Sequence, residues 1–491
     1  MYLCSRLNNI VMSAIIGREK EIAELNELYN SDKSEFVAVY GRRRVGKTFL
    51  VDEALKGKIT FRHAGLSPVD EDGKKNSLKD QLRHFYFSLQ MQGMKKSKCP
   101  TSWMEAFFML SQLLEAKDKG KRQVVFLDEL PWLDTPRSGF ITAFEGFWNT
   151  WGCHRDNLML VVCGSANSWM LDNLVNNHGG LYGRTTYEVK LRPFKLGECE
   201  KLLEKKGLRL SRYDIVQSYM ILGGIPYYLG YMKKGLSLAQ NIDHLFFDED
   251  AKLRDEYDRL FASVFANPEQ MKRIVSVLAS RRAGYTRQEI LAKAGLDDNG
   301  ASSKMLKALV ASDFIQPYVP FGMSKHDEHY KLCDPFCLFY QKYVEGRTEI
   351  DAAFWMHNVT AQSINSWRGF AFEEVCLTHI RQIKQAINIL DVSSTQSAWS
   401  LKGDDEVEGG QIDLLISRKD NVVDMCEMKF YNETYTISKS YHAKLIHRQN
   451  LLTEQLPKRS SVHHVLITTF GLNYNEYSGI FQHVITIDQL F

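Results

Sequence analysis

No stretch of the 491-residue chain approaches the roughly 18 consecutive apolar residues that a membrane-spanning helix needs. The longest apolar runs, such as Met159–Cys163, are strand-sized, so no membrane partner is expected. The N-terminus has no apolar segment leading to a small-residue cleavage site, so no signal peptide is expected. Met12 is a candidate start, because the segment before it reads as neither strand nor helix; N-terminal sequencing of the native protein decides this. Nine cysteines form no C-x-x-C pair, and Cys333 and Cys337 lack the second pair that a zinc site requires. They read as reduced thiols of a cytoplasmic protein. Charge of one sign is also lacking: 62 Lys and Arg against 59 Asp and Glu leave a net +3. Any DNA contact would therefore need a local basic patch. There is no internal repeat and no low-complexity tract.

What remains is ordinary globular composition, 44% hydrophobic and 25% charged, over a length that suggests two to four domains. The pattern divides the chain into an N-terminal extension (1–15), an α/β domain (16–194), a mostly helical segment (195–267), a helices-then-hairpin module (268–345) and a mixed C-terminal domain (346–491). In the α/β domain the continuous apolar runs Phe36–Tyr40, Val124–Leu127 and Leu158–Cys163 suit central parallel strands covered on both faces. Helical stretches such as Trp103–Ala116 and Phe140–Trp148 lie between them. Helices at Pro268–Arg281, Thr286–Ala294 and Ser302–Ser312, followed by extended runs Ile315–Pro320 and His329–Leu332, make a winged helix-turn-helix. The last domain reads as a helix around Phe370–Lys384, strands Gln411–Ile416 and Val422–Phe430, a helix near Ser438–Thr453, and strands Val462–Thr469 and Val484–Ile487.

Gly41-Arg42-Arg43-Arg44-Val45-Gly46-Lys47-Thr48 matches the phosphate-binding pattern G-x-x-x-x-G-K-[ST], between a strand and a helix. The glycines let backbone N–H groups turn around an anion, and the helix N-terminus adds its positive end. Lys47 would reach the β- and γ-phosphates of ATP, and Thr48 would place its hydroxyl on Mg²⁺. Val124–Leu127 runs into Asp128-Glu129, which puts acids at a strand's C-terminal end, where ligands bind in open α/β sheets. Asp128 would hold Mg²⁺, and Glu129 would act as general base on the attacking water. Strand Leu158–Cys163 ends in Gly164-Ser165-Ala166-Asn167, where Ser165 and Asn167 are the candidates to sense the γ-phosphate.

These motifs, with Ile16-Gly17-Arg18-Glu19, Leu181-Tyr182-Gly183-Arg184, Leu191-Arg192-Pro193-Phe194 and Gly223-Gly224-Ile225-Pro226, resemble the AAA-type and STAND-like P-loop ATPases of prokaryotes. The resemblance runs from about Ile16 to Val344. It implies a P-loop NTPase parallel sheet followed by a helical lid. It also implies that the Gly17-Arg18-Glu19 segment packs near the adenine and that Pro226 couples the lid to the nucleotide. By likeness Arg184 is a sensor or arginine finger on the γ-phosphate; pairing with a carboxylate of its own domain is the open alternative. A finger acting in trans would require a homo-oligomer, whereas Arg184 can also act within one subunit.

A second set of acids lies near the C-terminus. If the hairpin of Gln411–Ile416 and Val422–Phe430 centres on Asp420, Asp413 faces Glu427, and Lys429 shares that face. Facing carboxylates repel unless a cation sits between them, and Mg²⁺ prefers oxygen ligands. Lys429 would orient water or stabilise charge developing on a phosphate. Asp413…Glu427-Met428-Lys429 resembles the PD-(D/E)XK nuclease core, although no proline precedes Asp413. The further acid that this fold usually draws from an upstream helix is assigned to Glu373, with Glu374 adjacent. Joined to Asp334-Pro335-Phe336 and the ATPase motifs, the whole resembles a large bacterial and archaeal ATPase family with a restriction-endonuclease-like α/β domain at its C-terminus.

The winged helix offers Ser302, Ser303, Lys304 and Lys307 on its recognition helix, and Lys325, His326, His329 and Lys331 on its wing. Asp327 and Glu328 dilute that charge, so DNA reader and protein-packing spacer both stay open. The expected function is ATP hydrolysis with Mg²⁺ coupled to a DNA-acting C-terminal domain. The alternative is a nucleotide-dependent signalling or scaffold switch whose nuclease-like domain only binds.

Overall fold

Strands β1 (Glu35–Tyr40), β2 (Ile59–Ala64), β3 (Gln123–Asp128), β4 (Leu158–Gly164) and β5 (Tyr187–Lys190) form one sheet in the order β2-β3-β4-β1-β5. All four pairings are parallel. The structure, a computed structural model, describes residues 15–69, 74–176, 180–181, 183–347, 351–403 and 409–491. Met12, nearly all of the N-terminal extension and Tyr182 lie outside the described residues. The chain divides into two compact units, one running through Arg192 with Ala262–Ala266, the other comprising Pro193–Phe261 and Asn267–Phe491.

In the first unit β1, β3 and β4 are buried along their whole length. That is why they read as unbroken apolar runs. Strand β2 alternates, because it is an edge strand and carries Arg62 and Ala64 outward. Helices Leu78–Met91 and Trp103–Ala116 start at Ser77 and Ser102, whose hydroxyls accept from the backbone N–H of Asp80 and Glu105. They pack on an aromatic core in which Phe85, Phe107 and Phe140 surround Trp103 and Phe36 lies against Trp148. The sheet order places β4 between the strand entering the phosphate loop and the strand ending at Asp128.

The second unit opens with helices Leu196–Lys205, Arg212–Leu222, Pro226–Leu229, Leu238–Phe246 and most of Glu256–Val264. Phe194 donates from its backbone N to the Gly224 carbonyl at 2.8 Å. A Cβ on Gly224 would meet the Phe194 carbonyl oxygen at 2.3 Å, and one on Gly223 would touch Pro335. Three of the motif strings therefore pack on one another. Helices Pro268–Ala279, Arg287–Ala294 and Gly300–Ala311 follow, with a three-stranded antiparallel sheet of β6 (Tyr285–Thr286), β7 (Ile315–Tyr318) and β8 (His329–Leu332) in the order β6-β8-β7. Ser302 does not face outward on the third helix. It is buried, and its hydroxyl donates to the Asp297 carbonyl at 2.5 Å, which removes it from the residues available to a nucleic acid.

The C-terminal part has strands β9 (Ser394–Leu401), β10 (Gly410–Arg418), β11 (Val422–Lys429), β12 (Ser461–Thr468) and β13 (Phe481–Thr486). They form a sheet in sequence order; β9, β10 and β11 are antiparallel, and β11, β12 and β13 are parallel. Helix Lys439–Glu454 crosses over from β11 to β12 and buries Leu445, Leu451 and Leu452 against Leu415, Met425 and Leu466. The helix expected around Phe370–Lys384 is two helices, Gln362–Thr378 and Ile380–Ala386, broken at His379. The His379 ring is buried between the Val375 carbonyl and the Leu196 backbone N–H, 2.7 and 3.1 Å away, and this contact with a distant helix decides the break.

Candidate nucleotide and carboxylate sites

The phosphate loop is shaped by residues that tolerate left-handed backbone: φ is +149° at Gly41, +73° at Arg44 and +92° at Gly46. Gly46 caps the helix Lys47–Ala54, whose first turn opens at the C-terminal edge of the sheet. Gly41 has no room for a side chain, because a Cβ there would lie 2.2 Å from the Leu191 carbonyl oxygen. Gly41→Ala is therefore expected to destabilise the protein by about 2–3 kcal/mol. Its thermal midpoint, followed by far-UV circular dichroism, would fall by roughly 4–12 °C; an unchanged midpoint would show that the loop relaxes freely.

The expected residues meet here. Lys47 is buried, and its ammonium donates to the Gly41 and Arg42 carbonyls (2.9 and 3.2 Å) and to Ser165 Oγ (2.9 Å). Burial lowers its pKa, while the charge of Glu129 works in the opposite direction. Ser165 donates from its backbone N and its hydroxyl to the two Glu129 oxygens, at 3.2 and 2.8 Å. Glu129 itself sits at φ +46°, a left-handed turn that aims its carboxylate back across β4. Thr48 Oγ1 donates to Asp128 Oδ2 at 2.8 Å. Burial, and then the neighbouring Glu129, raise the Asp128 pKa. Asn167 Oδ1 accepts from the Gly41 backbone N at 2.8 Å. Val45 and Arg42 are buried, and the Arg43 guanidinium lies over the Trp132 ring at 5.7 Å. Arg18 Nη2 donates to the Arg192 carbonyl at 2.6 Å, so the segment Gly17-Arg18-Glu19 reaches the end of the strand beside the loop. Arg184 stands apart: it is exposed in the turn before β5 and has no ion pair among the described residues.

Thr48 and Asp128 together offer the hydroxyl-and-carboxylate oxygen set that Mg²⁺ prefers. A parallel sheet with a lysine-bearing anion loop after β1 and paired acids after β3 defines a P-loop ATPase domain. Residues 15–232 match a protein family described as an ATPase domain predominantly from Archaea. An uncharacterized protein of Methanocaldococcus jannaschii is 28% identical over 367 residues, 73% of this chain and 76% of that protein. An uncharacterized ATP-binding protein of the same organism is 40% identical over 43 residues, 9% of this chain and 73% of that protein. Among solved structures, a Walker-type ATPase of Pyrococcus abyssi is similar at 19% identity and a TM-score of 0.45, over 67% of this chain and 96% of that one.

The C-terminal acids are arranged differently. The β10–β11 ladder pairs Leu414 with Cys426 and Leu415 with Met425, the register expected for a hairpin centred on Asp420. Yet Asp413 and Glu427 have different partners. The pairing of β9 with β10 shifts register between Ile412 and Leu415, which interrupts the two-residue alternation at Asp413. Asp413 Oδ1 accepts from Gln411 Nε2 at 2.8 Å and lies 3.5 Å from Arg282 Nη2. Glu373 also pairs with Arg282. Burial and the charge of Asp413 push the Glu373 pKa up to about 8, against the pull of Arg282. Structure thus unites Glu373 with Asp413. Glu427 is held by Lys429 at 2.7 Å, by Arg448 at 3.3 Å and by the Tyr441 hydroxyl. Burial works to lower the Lys429 pKa, but Glu427 and Tyr441 raise it overall. Among the described residues no group of three His, Cys, Asp or Glu side chains is placed to hold a metal ion. Tyr441 and Arg448, seven residues apart on one helix, went unnoticed in the sequence; their i, i+7 spacing beside a strand-end lysine is the signal that finds them. Lys331, counted among the wing's cations, instead pairs with Glu374 at 2.7 Å. No described helix is long and apolar enough to cross a membrane.

Proposed function

We propose that this chain is an AAA-type ATPase that hydrolyses ATP with Mg²⁺ and couples the cycle to a metal-dependent, nuclease-like domain acting on DNA. The observation that carries the ATPase half is the continuous set Lys47–Ser165–Glu129 beside Thr48–Asp128. It supports a reading in which a cation, a polar sensor, a general base and a metal-ligand pair lie together at one sheet edge. ATP's phosphates would occupy the backbone cradle of Gly41–Thr48. Lys47 would exchange its carbonyl contacts for phosphate oxygens, and Asp128 and Thr48 would hold Mg²⁺. Mg²⁺ supplies charge neutralisation on the phosphates. Glu129 would take the proton of the attacking water once it is turned from Ser165. Arg184, exposed, would be a residue that a neighbouring copy can present or receive.

The winged helix-turn-helix reading of 268–345 rests on its three helices and hairpin. The PD-(D/E)XK reading of 346–491 rests on the strand order and the crossover helix, with Glu373 and Asp413 sharing Arg282 while Glu427 and Lys429 pair apart from them. The carboxylate pair Glu373–Asp413 takes up the Arg282 guanidinium as its cation. Purified protein is expected to cut DNA with Mg²⁺ or Mn²⁺, and Lys429→Ala is expected to abolish cleavage while leaving ATP turnover in place. Absence of cleavage on single-stranded, duplex and branched DNA would favour the second reading, a nucleotide-dependent switch with a binding module. The specific observation on that side is the occupation of Glu427 by Lys429, Arg448 and Tyr441.

A further inference from the structure

Helices Leu78–Met91 and Trp103–Ala116 of the first unit pack on the same side of its sheet, through Leu82, Phe85 and Leu89 and through Trp103, Phe107 and Leu110. They run side by side in one direction. The Phe85 ring lies against Trp103 and Phe107, and a Cβ on Gly93, just past the first helix, would lie 3.6 Å from Lys117, just past the second. The connecting segment, residues 92–102, therefore leads back along the pair. The Tyr86 hydroxyl holds it by donating to the Ser97 carbonyl and accepting from the Ser97 backbone N at 3.1 Å.

The outer side of this layer is apolar and basic. Phe87 and Met91 stand four residues apart on one helix, and Met104 and Phe108 four apart on the other, so each pair forms an outward stripe. They are 45%, 87%, 57% and 62% exposed. The returning segment exposes Lys95, Lys96 and Lys98 beside them. From Ser77 to Phe108 the chain has five Lys and Arg against two acids. Both acids are engaged at helix starts, Asp80 with Ser77 and Glu105 with Thr101.

We propose that the outer side of this helix pair is a contact for an anionic phospholipid surface. Phe87, Met91, Met104 and Phe108 enter the boundary between headgroups and acyl chains, and the three lysines meet lipid phosphates. The excess of cations sets the sign of the partner. The apolar residues set its kind. Methionine has no ring to stack on a base, and the Phe87 ring already carries the Arg83 guanidinium at 5.5 Å, so the aromatic platform that a single-stranded nucleic acid uses is not built here. Lysines beside apolar side chains suit a fluid surface, where their stems lie along lipid and their ammonium groups reach phosphate. No spanning helix is needed, because helices lying flat reach only the boundary, in keeping with the lack of a spanning helix among the described residues. This surface belongs to the first unit and does not depend on the DNA reading of the second.

The test is co-sedimentation of the full-length protein at low salt with sucrose-loaded vesicles, either of phosphatidylcholine or of phosphatidylcholine mixed with phosphatidylglycerol. Wild type is expected to bind the anionic vesicles at least about tenfold more tightly than the neutral ones. Each basic residue at an anionic surface contributes roughly fivefold, so Lys95→Gln/Lys96→Gln/Lys98→Gln should weaken that binding by roughly a hundredfold. Met91→Ser/Phe108→Ser keeps the charge and should weaken it at least about tenfold. These positions are exposed and none belongs to the nucleotide site, so the melting midpoint and ATP turnover should stay at wild-type values. If the apolar double variant does not fold, Met91→Ser alone replaces it, with a smaller loss in the same direction. Absence of binding to anionic vesicles overturns the proposal, and so does binding that either set of substitutions leaves unchanged. Binding of a fluorescent oligodeoxythymidine, lost with the lysine variant and unaccompanied by vesicle binding, assigns the surface to single-stranded nucleic acid and overturns the lipid.

Discussion

Replacing Lys47 by alanine is expected to abolish ATP binding, with affinity falling at least a hundredfold. The ammonium is buried at the base of the loop and already makes three hydrogen bonds there. Phosphate oxygens would replace carbonyl oxygens as its acceptors, and hydrogen bonds to charged partners are worth roughly 1.5–3 kcal/mol each. Two such bonds lost correspond to about 3 kcal/mol or more, two orders of magnitude in Kd. The fold should survive, because burial already disfavours the charge and alanine is a strong helix former at the start of helix Lys47–Ala54. Isothermal titration with ATP and Mg²⁺, alongside a thermal melt, checks both statements. A folded variant that binds ATP within threefold of wild type would remove Lys47 from the site.

Glu129→Gln should separate binding from chemistry. General-base catalysis contributes typically 10²- to 10⁴-fold, so kcat is expected to fall by about that factor, while ATP affinity changes by less than about threefold. Glutamine is nearly isosteric and its amide oxygen can still accept from the Ser165 hydroxyl, which now donates to Glu129 Oε1 at 2.8 Å. The Ser165 hydroxyl contact is therefore retained, while the capacity to take a proton is lost together with the bond from the Ser165 backbone N–H to the second Glu129 oxygen. Steady-state phosphate release gives the first quantity and nucleotide titration the second. Unchanged turnover would assign the base elsewhere, and a matching loss of affinity would make Glu129 a binding residue.

Much of the first unit was legible because its signals are local. Helix Trp103–Ala116 was read with its observed ends, and β1, β3 and β4 announced themselves as apolar runs because both their faces are covered. Three edge strands, β2, β5 and β9, were not legible. Strand β9, Ser394–Leu401, is largely polar and half exposed, so it carries no run to detect, and β2 and β5 are similarly mixed. The same limit governed the sites. Gly41–Thr48 and Asp128-Glu129 are contiguous strings whose chemistry follows from spacing. The convergence of Ser165 and Asn167 on them was foreseen only as a consequence of strand order. At the C-terminal acids the hairpin register was legible from symmetry about Asp420, but the partners were not. A register shift at Asp413 and Tyr441, 14 residues beyond Glu427 on the crossover helix, redirected them.

By itself the sequence determined that this protein has a nucleotide-binding loop, an acid pair to serve it and an α/β sheet to hold both. The loop and the acid pair are each encoded in fewer than ten consecutive residues, and the sheet in short apolar runs whose burial on both faces makes them legible. Tertiary structure decided what the charged side chains of the second half do. Arg282 and Lys331, read as surface cations or not read at all, are paired with Glu373 and Glu374, ninety-one and forty-three residues away. The physical reason is electrostatic. A partly buried carboxylate takes whichever cation the fold delivers, and that delivery depends on how a hairpin packs on a distant helix, which no spacing along the chain records.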